Sequence, residues 1–170
     1  AAADGETTAA AASGEGTFKI GGIGPTTGSA AVYGTAVANA AALAVQEINA
    51  AGGINGYQVE LNFQDDENNA EKSVNAYNVL KDWGAQMLLG TVTSTPCVAV
   101  AAETYNDNMF QLTPSGTAVE CLTYDNAFRV CFSDPTQGTV SAQYIAENGL
   151  ASKIYVIYDS SDVYSSGIYQ

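Results

Sequence analysis

The feature that most constrains the fold is an apolar strand, a polar turn and a long alanine-rich helix in residues 17–56. The short apolar stretch 18–23 predicts a buried strand. Apolar residues at spacings of three and four predict a helix from about residue 34 to residue 51, and two glycines end it. This is the opening of a βαβ unit. In open α/β sheets ligands bind at the carboxyl ends of strands, so the small polar residues 25–34 stand where a ligand binds.

The chain then continues to alternate between strands and helices. Further strands are predicted at residues 57–64, 87–92 and 109–112, with helices at 69–83 and 96–105 between them. Such alternation is typical of a doubly wound parallel sheet, so we predict the α/β class. Right-handed crossovers and a switch between strands 1 and 3 give the order 2-1-3-4. That order brings the loops after strands 1, 3 and 4 to one crevice.

The last part of the chain has a different rhythm. It predicts a strand at 124–132, a helix from 134 to about 148, a strand at 154–158 and a first helical turn from 163. We interpret residues 17–132 as one lobe and residues 133–170 as the truncated start of a second. Such a start leaves sheet edges and apolar faces uncovered, which favours dimerisation through these edges, domain swapping or local disorder. Residues 1–16 contain no large apolar side chain and predict a flexible tether.

Composition excludes several classes of function. Eighteen acidic residues face five basic ones, so nucleic acid is a poor partner. The absence of histidine removes Ser-His triads and the usual zinc ligands. As an enzymatic nucleophile, Ser94 or Cys97 would lack a histidine or a nearby lysine as base. The glycine-rich turn fails the dinucleotide spacing and no P-loop motif occurs. We therefore expect a binding protein with no catalytic residues, no cofactor and no metal.

Three cysteines occur, without the C-x-x-C spacing of a metal site. Cys131 lies in an apolar strand pattern and is interpreted as a small core residue. One disulfide is compatible with a protein that works outside the cytoplasm, and Cys97 with Cys121 is the favoured pair.

The loops after the predicted strands are rich in hydroxyl groups. Ser94 stands just ahead of a Thr-Pro pair, a combination typical of a helix N-cap, and helix N-termini attract carboxylates. As alternatives, Ser94 only caps its own helix, and residues 113–117 form a turn chosen for backbone geometry. Tyr33 and Tyr164 lie in glycine- and serine-rich loops. There an aromatic ring either covers an apolar ligand or packs on its own loop.

Asp65, Asp66 and Glu67 form the sharpest acidic cluster. The cluster lacks the alternation and the central glycine of a calcium-binding loop. We interpret it as a solvated strand end that favours the N-terminus of the following helix.

Seven segments, in their order along residues 17–170, carry a family resemblance: FKIGGIGPTTGSAAVYG, INAAGGING, QDDENN, LLGTVTSTP, LTPSGTA, FRVCFSDPTQG and VIYDSSDVYSSG. On these motifs the chain resembles the extracytoplasmic branched-chain amino acid binding proteins of ABC transporters. The resemblance implies a type I periplasmic-binding-protein fold, in which two doubly wound lobes trap the ligand between them.

The resemblance also implies roles for individual residues. Ser94 and Thr117 match the hydroxyls that hold the carboxylate and the ammonium of an amino acid. Ser115 matches the residue whose backbone carbonyl accepts from the ammonium, and Tyr33 and Tyr164 match aromatic residues of the cleft. Ser115 and the glycine after it replace the commoner Ala-Ala pair. The extra hydroxyl weakens the expectation of a strict preference for aliphatic ligands.

The implied function is the binding of a branched-chain amino acid, or a similar small zwitterion, for an ABC permease in the membrane. The protein is then extracytoplasmic, at the cell surface or in the periplasm. The tether resembles the linker behind the lipid anchor of a Gram-positive lipoprotein. The alternative on the same fold is the ligand-binding ectodomain of a sensor.

Overall fold

The computed structural model describes residues 16–170 of the protein, so the predicted tether lies outside the described residues except for its last position. The elements in chain order are β1 (Thr17–Gly24), α1 (Ala31–Ala50), β2 (Gln58–Asp65), α2 (Ala70–Trp83), β3 (Met87–Gly90), α3 (Ser94–Asn106), β4 (Phe110–Thr113), a 3-10 helix (Val119–Leu122), β5 (Ala127–Arg129), α4 (Asp134–Glu147) and α5 (Val163–Tyr169).

The strands form one parallel sheet in the order β2-β1-β3-β4-β5. This order confirms the predicted arrangement 2-1-3-4 and adds β5 beyond β4. Ile23 lies opposite Gly90, and Leu89 lies opposite Leu112, so β1, β3 and β4 end side by side. The loops that follow these strands therefore meet at one edge of the sheet.

The main hydrophobic core lies between the sheet and the neighbouring helices α2 and α3. Ile23 and Leu88 project from the sheet, and Tyr77, Leu80 and Val100 meet them from the helices; each is at most 1% exposed. Branched aliphatic and aromatic side chains of this kind supply most of the stabilisation of such a layer. The strand ends that carry the polar loops are thus held on a packed support.

Two predicted strands differ from the structure. The strand predicted at 124–132 is reduced to β5, because only Ala127–Arg129 pair with β4. The strand predicted at 154–158 is not formed, and Tyr155 and Ile157 in it are 91% and 99% exposed. A strand needs a neighbour for its backbone groups, and none of residues 16–170 pairs with this segment. Its apolar pattern predicted a buried strand, and for the described residues that prediction is wrong.

Candidate ligand-binding site

A cavity of about 430 Å³ lies at the carboxyl ends of the central strands. All five residues singled out from the sequence line it: Tyr33, Ser94, Ser115, Thr117 and Tyr164. They come from separate loops and helix starts. Its volume is within the range of small-molecule sites, roughly 300–1,000 Å³. The other lining residues are Ala30, Asn68, Val92, Thr93, Thr95, Cys131, Phe132 and Asp162.

Ser94 and Thr117 form the buried polar wall of this cavity. The Ser94 hydroxyl oxygen accepts from the backbone N–H groups of Thr117 and Ala118, each at 3.2 Å. The same oxygen lies 3.4 Å from Oγ1 of Thr117. Because the oxygen accepts two backbone bonds, the hydroxyl hydrogen of Ser94 is its remaining donor, which can point to Oγ1 of Thr117 or to a ligand in the cavity.

This arrangement corrects the N-cap interpretation of Ser94. Helix α3 begins at Ser94 itself, and Thr93 is its N-cap residue. The Ser94 side chain bonds across to the loop after β4 because that loop lies beside the start of α3 in the sheet order. Ser94 therefore links two loops instead of closing its own helix.

Ser115 also uses its hydroxyl within the wall. Its Oγ donates to the backbone carbonyl of Val92 at 2.6 Å. Beside it, Oγ1 of Thr113 donates to the carbonyl of Thr91 at 2.6 Å and accepts from the N–H of Gly116 at 2.8 Å. These bonds fix the loop after β4 against the loop after β3.

Aromatic rings border the more open part of the cavity. Tyr33 is 64% exposed, and Phe132 and Tyr164 are also exposed. The Tyr164 hydroxyl of α5 is bonded to the side-chain amide of Gln137 in α4. Nε2 of Gln137 donates to the Tyr164 hydroxyl oxygen at 3.3 Å. Rings with free faces at a cavity mouth are suited to cover an apolar group.

Sequence reasoning missed several lining residues. Oγ1 of Thr93 is buried and has no hydrogen-bond partner among residues 16–170. Thr95 follows on the same turn, and Asn68 reaches the cavity from the end of β2 with a φ of 58°. Thr93 could have been found from the sequence, because it directly follows the buried strand predicted at residues 87–92. No local signal distinguished Phe132, which follows β5 and lines the cavity only through the tertiary fold.

The acidic cluster holds the loop after β1 in place through hydrogen bonds to Asp65. This corrects its interpretation as a solvated end of the strand. The Asp65 carboxylate accepts from the N–H groups of Thr26 and Glu67 at 2.8 and 3.0 Å and from the Thr27 hydroxyl. Desolvation opposes ionisation, but these bonds prevail and lower the pKa of Asp65 to about 2.

Asp66, by contrast, is fully buried. Its carboxylate accepts from the N–H of Asn68 at 2.9 Å and from the hydroxyl of Ser73 at 3.2 Å. Burial nevertheless raises the pKa of Asp66. The sequence predicted a solvated carboxylate because Asn68 and Ser73 cover Asp66 only in the folded structure, at the start of α2.

The charge of the cavity wall is sparse. Asp162 is the one charged residue among its described lining residues. The N-terminus of α3 has the opposite sign to the Asp162 carboxylate. Its first N–H groups have no partner within the helix and carry a partial positive charge. Within residues 16–170 no group of three or more His, Cys, Asp or Glu side chains is arranged to hold a metal ion.

Two of the three cysteines are buried near the polar wall, and the third lines the cavity. Cys97 and Cys121 are fully buried neighbours in one apolar cluster, and both are free thiols. Cys131 lies outside β5, is partly exposed and lines the cavity, so its interpretation as a strand core residue is wrong. The reason is that β5 ends at Arg129, before the predicted strand does.

The family model for periplasmic binding proteins matches residues 17–168. The chain belongs to the periplasmic binding protein family. This confirms the family resemblance and the predicted type I fold.

Members of this family with known names are clearly similar to the chain. The leucine-, isoleucine-, valine-, threonine- and alanine-binding protein of Pseudomonas aeruginosa is 35% identical over 155 residues, which are 89% of this chain and 41% of that protein. Leu/Ile/Val-binding protein homolog 3 of Brucella melitensis is 34% identical over 151 residues, 88% of this chain and 41% of that protein. The chain thus spans about two fifths of the length of these relatives.

Solved structures of periplasmic binding proteins show the same likeness. The branched-chain amino acid transporter substrate binding protein LivJ from Streptococcus pneumoniae, in complex with isoleucine, has a TM-score of 0.85 and 32% identity. The alignment covers 90% of this chain and 44% of that chain. The leucine binding protein LivK from Thermotoga maritima has a TM-score of 0.83 at 26% identity, with 90% and 43% covered.

Proposed function

We propose that the protein is the solute-binding component of an ABC importer and that it binds a branched-chain amino acid or a similar small zwitterion. The observation that carries this proposal is the convergence of Tyr33, Ser94, Ser115, Thr117 and Tyr164 on one cavity. The names of two relatives support the same ligand class: both name leucine, isoleucine and valine, and one also names threonine and alanine. The protein acts by binding and not by catalysis.

The ligand carboxylate is held at the start of α3. The hydroxyl hydrogen of Ser94 turns from Oγ1 of Thr117 and donates to it, and the first N–H groups of the helix face it with the positive end of the helix dipole. The unpartnered Oγ1 of Thr93 is the further donor on this side. A carboxylate supplies the acceptor that Thr93 lacks among residues 16–170.

The ligand ammonium is held on the opposite side of the same wall. The hydroxyl oxygen of Thr117 and the backbone carbonyl of Ser115 accept from it, and the Asp162 carboxylate balances its charge. Bonds to charged groups are worth about 1.5–3 kcal/mol each, so this part of the wall selects for a zwitterion.

The aliphatic side chain of the ligand packs against Tyr33, Phe132 and Tyr164. The hydroxyl of Ser115 does not add polarity to this region, because it is already donated to the carbonyl of Val92. A preference for aliphatic ligands is therefore compatible with the serine at position 115.

The cellular setting follows from this function. The protein is extracytoplasmic, at the cell surface or in the periplasm, with a lipid anchor ahead of residues 1–16, and it delivers its ligand to an ABC permease. Among residues 16–170, no helix combines the length and the apolar character needed to cross a bilayer. The transport names of the relatives favour the importer component over a sensor ectodomain. Dimerisation stays a prediction.

The test is calorimetric titration of the full-length protein with leucine, isoleucine and valine, with and without Thr117→Val. Valine keeps the shape of threonine but removes the hydroxyl that accepts from the ammonium. We expect the affinity for leucine to fall by roughly 10- to 150-fold, as the loss of one bond to a charged group implies.

The matched control is Thr123→Val. Thr123 is exposed, and its hydroxyl donates to the carbonyl of Glu120 away from the cavity. Its affinity should equal that of the unchanged protein. Equal affinities of the Thr117 and Thr123 variants would contradict the site, and no binding of any of the three amino acids would contradict the ligand class.

A further inference from the structure

Three sulfur atoms surround the loop that carries the polar wall, and the proposed binding of the ligand uses none of them. Cys97 lies in the first part of α3, Cys121 in the 3-10 helix after the loop, and Cys131 after β5. The first two are fully buried, whereas Cys131 is partly exposed at the cavity.

Cys97 and Cys121 both lie beside Gly116. A β-carbon at position 116 would stand 3.2 Å from each of the two sulfurs, so the sulfurs are at most twice that distance apart. The contact between the two thiols lowers the pKa of Cys97 and raises that of Cys121. Cys131 is aimed elsewhere, with its Sγ 3.6 Å from the carbonyl oxygen of Gly116.

The surroundings of the pair hold it in place. The amide of Gln111 donates to Sγ of Cys97 at 3.5 Å, and Sγ of Cys121 donates to the carbonyl of Ser94 at 3.8 Å. Both sulfurs also belong to one apolar cluster with Ala118. The pair is thus attached to Gln111 of β4 on one side and to Ser94 of the polar wall on the other.

We propose that Cys97 and Cys121 close a disulfide that locks the start of α3 to the segment following Thr117. The bond forms by exchange with a protein or small-molecule disulfide. The thiolate of one cysteine attacks that disulfide and releases one thiolate; the other cysteine then attacks the mixed disulfide and releases the second. The Sγ–Sγ bond forms, and the oxidant takes up two electrons and leaves as two thiols that carry the two protons.

The lock acts on the groups that face the ligand, which makes this part of the inference depend on the proposed function. Ser94 lies three residues before Cys97, and the N–H groups bonded to its hydroxyl belong to Thr117 and Ala118, just before the 3-10 helix of Cys121. A covalent link between these two elements restrains the separation of Ser94 and Thr117. The bound geometry is then set before the ligand arrives, which lowers the cost of binding.

The first experiment maps the thiols and needs no ligand. Trypsin cleaves after Lys81, Arg129 and Lys153, so Cys97 and Cys121 fall in the peptide 82–129 and Cys131 falls in the peptide 130–153. The protein is purified without reductant and alkylated with iodoacetamide in denaturant. We expect the peptide 82–129 to be unalkylated and lighter by two hydrogens than its reduced form. The peptide 130–153 should carry one alkyl group. Two alkyl groups on 82–129, or a link between the two peptides, would overturn the pairing.

The second experiment measures the consequence of the lock in the full-length protein. Reduction should lower the melting temperature by about 5–10 °C, as the loss of a disulfide across a loop of this length implies, and should weaken leucine binding several-fold. The double variant Cys97→Ala with Cys121→Ala should lose this redox dependence, and the control Cys131→Ser should keep it. Equal leucine affinity before and after reduction of a mapped bridge would overturn the lock. Absence of leucine binding in both states would instead overturn the proposed function and leave the mapped bridge standing.

Discussion

The carboxylate of Asp134 is the least satisfied charged group of the described structure. It is fully buried at the first residue of α4, and its oxygens have no well-aligned hydrogen-bond partner among residues 16–170. Burial raises the pKa of Asp134, and the Thr117 hydroxyl and the charge of Arg129 offset only part of that effect. Close packing against Gly167 of α5 keeps water away from the carboxylate. An unpaired buried charge of this kind costs folding free energy.

We predict that Asp134→Asn stabilises the protein at pH 7 by about 1 kcal/mol, because it removes a poorly solvated charge without changing the volume. The folded pKa lies above the unfolded value of 3.8, so the folded state binds the proton more tightly. The stability of the unchanged protein therefore rises as pH falls from neutral through the raised pKa toward 3.8, and the gain from asparagine shrinks over that range.

Urea denaturation at pH 7 and pH 5 measures this difference in the free energy of unfolding. Asp125→Asn, which removes a charge from an exposed position, is the control and should show little change. A less stable Asp134→Asn at pH 7 would mean that the carboxylate is effectively paired with Arg129.

At the scale of elements, the approach of α1 to the loop after β1 depends on one glycine. Gly34 is the buried residue of α1, and a β-carbon there would stand 1.9 Å from the carbonyl oxygen of Pro25. The same loop is held to β2 by the bonds from Thr26 and Thr27 to Asp65. The position of Tyr33, next to Gly34, is therefore set by how closely the helix packs on this loop.

We predict that Gly34→Ala destabilises the protein by roughly 1–3 kcal/mol, because the methyl group forces the helix and the loop apart. On an exposed helix the same change would stabilise by about 0.5–1 kcal/mol. Since the two expectations have opposite signs, a urea denaturation midpoint decides between them. The control Ala36→Gly, at an exposed position of α1, should cost only the intrinsic preference of about 1 kcal/mol. A stabilised Gly34→Ala variant would show that the contact relaxes freely.

At the scale of the whole molecule, the chain presents one wall of the candidate binding site and a run of exposed apolar residues. The segment 154–158 exposes Ile154, Tyr155, Val156, Ile157 and Tyr158. The curated relatives are more than twice as long as the matched region. The proposed two-lobed protein covers both features with further elements, and the ligand then meets groups on two sides.

We predict that the 170-residue chain by itself binds leucine at best with roughly millimolar affinity. The three bonds with Ser94, Ser115 and Thr117 give about 5–9 kcal/mol, and association costs about 4 kcal/mol or more. The full-length protein should reach about micromolar affinity, near −8.2 kcal/mol. Titration calorimetry on the two proteins under the same conditions makes the comparison. Micromolar binding by the shorter chain would show that one wall is enough.

The local pattern of the sequence was sufficient for the sheet and for the choice of loops. Apolar periodicity and glycine positions depend on neighbours along the chain, so β1 to β4, the helices between them and the strand order could be predicted. The same information placed the five hydroxyl and aromatic residues at strand ends and helix starts, where the sheet brings them to one cavity.

Only the tertiary structure decided what individual polar groups do. The hydroxyl of Ser94 bonds across to another loop, Asp66 is buried under the start of α2, and Phe132 reaches the cavity. Residues 154–158 have a strand pattern without a strand. Burial and pairing depend on contacts between groups that are distant along the chain. A pattern of adjacent residues does not show which distant groups come into contact.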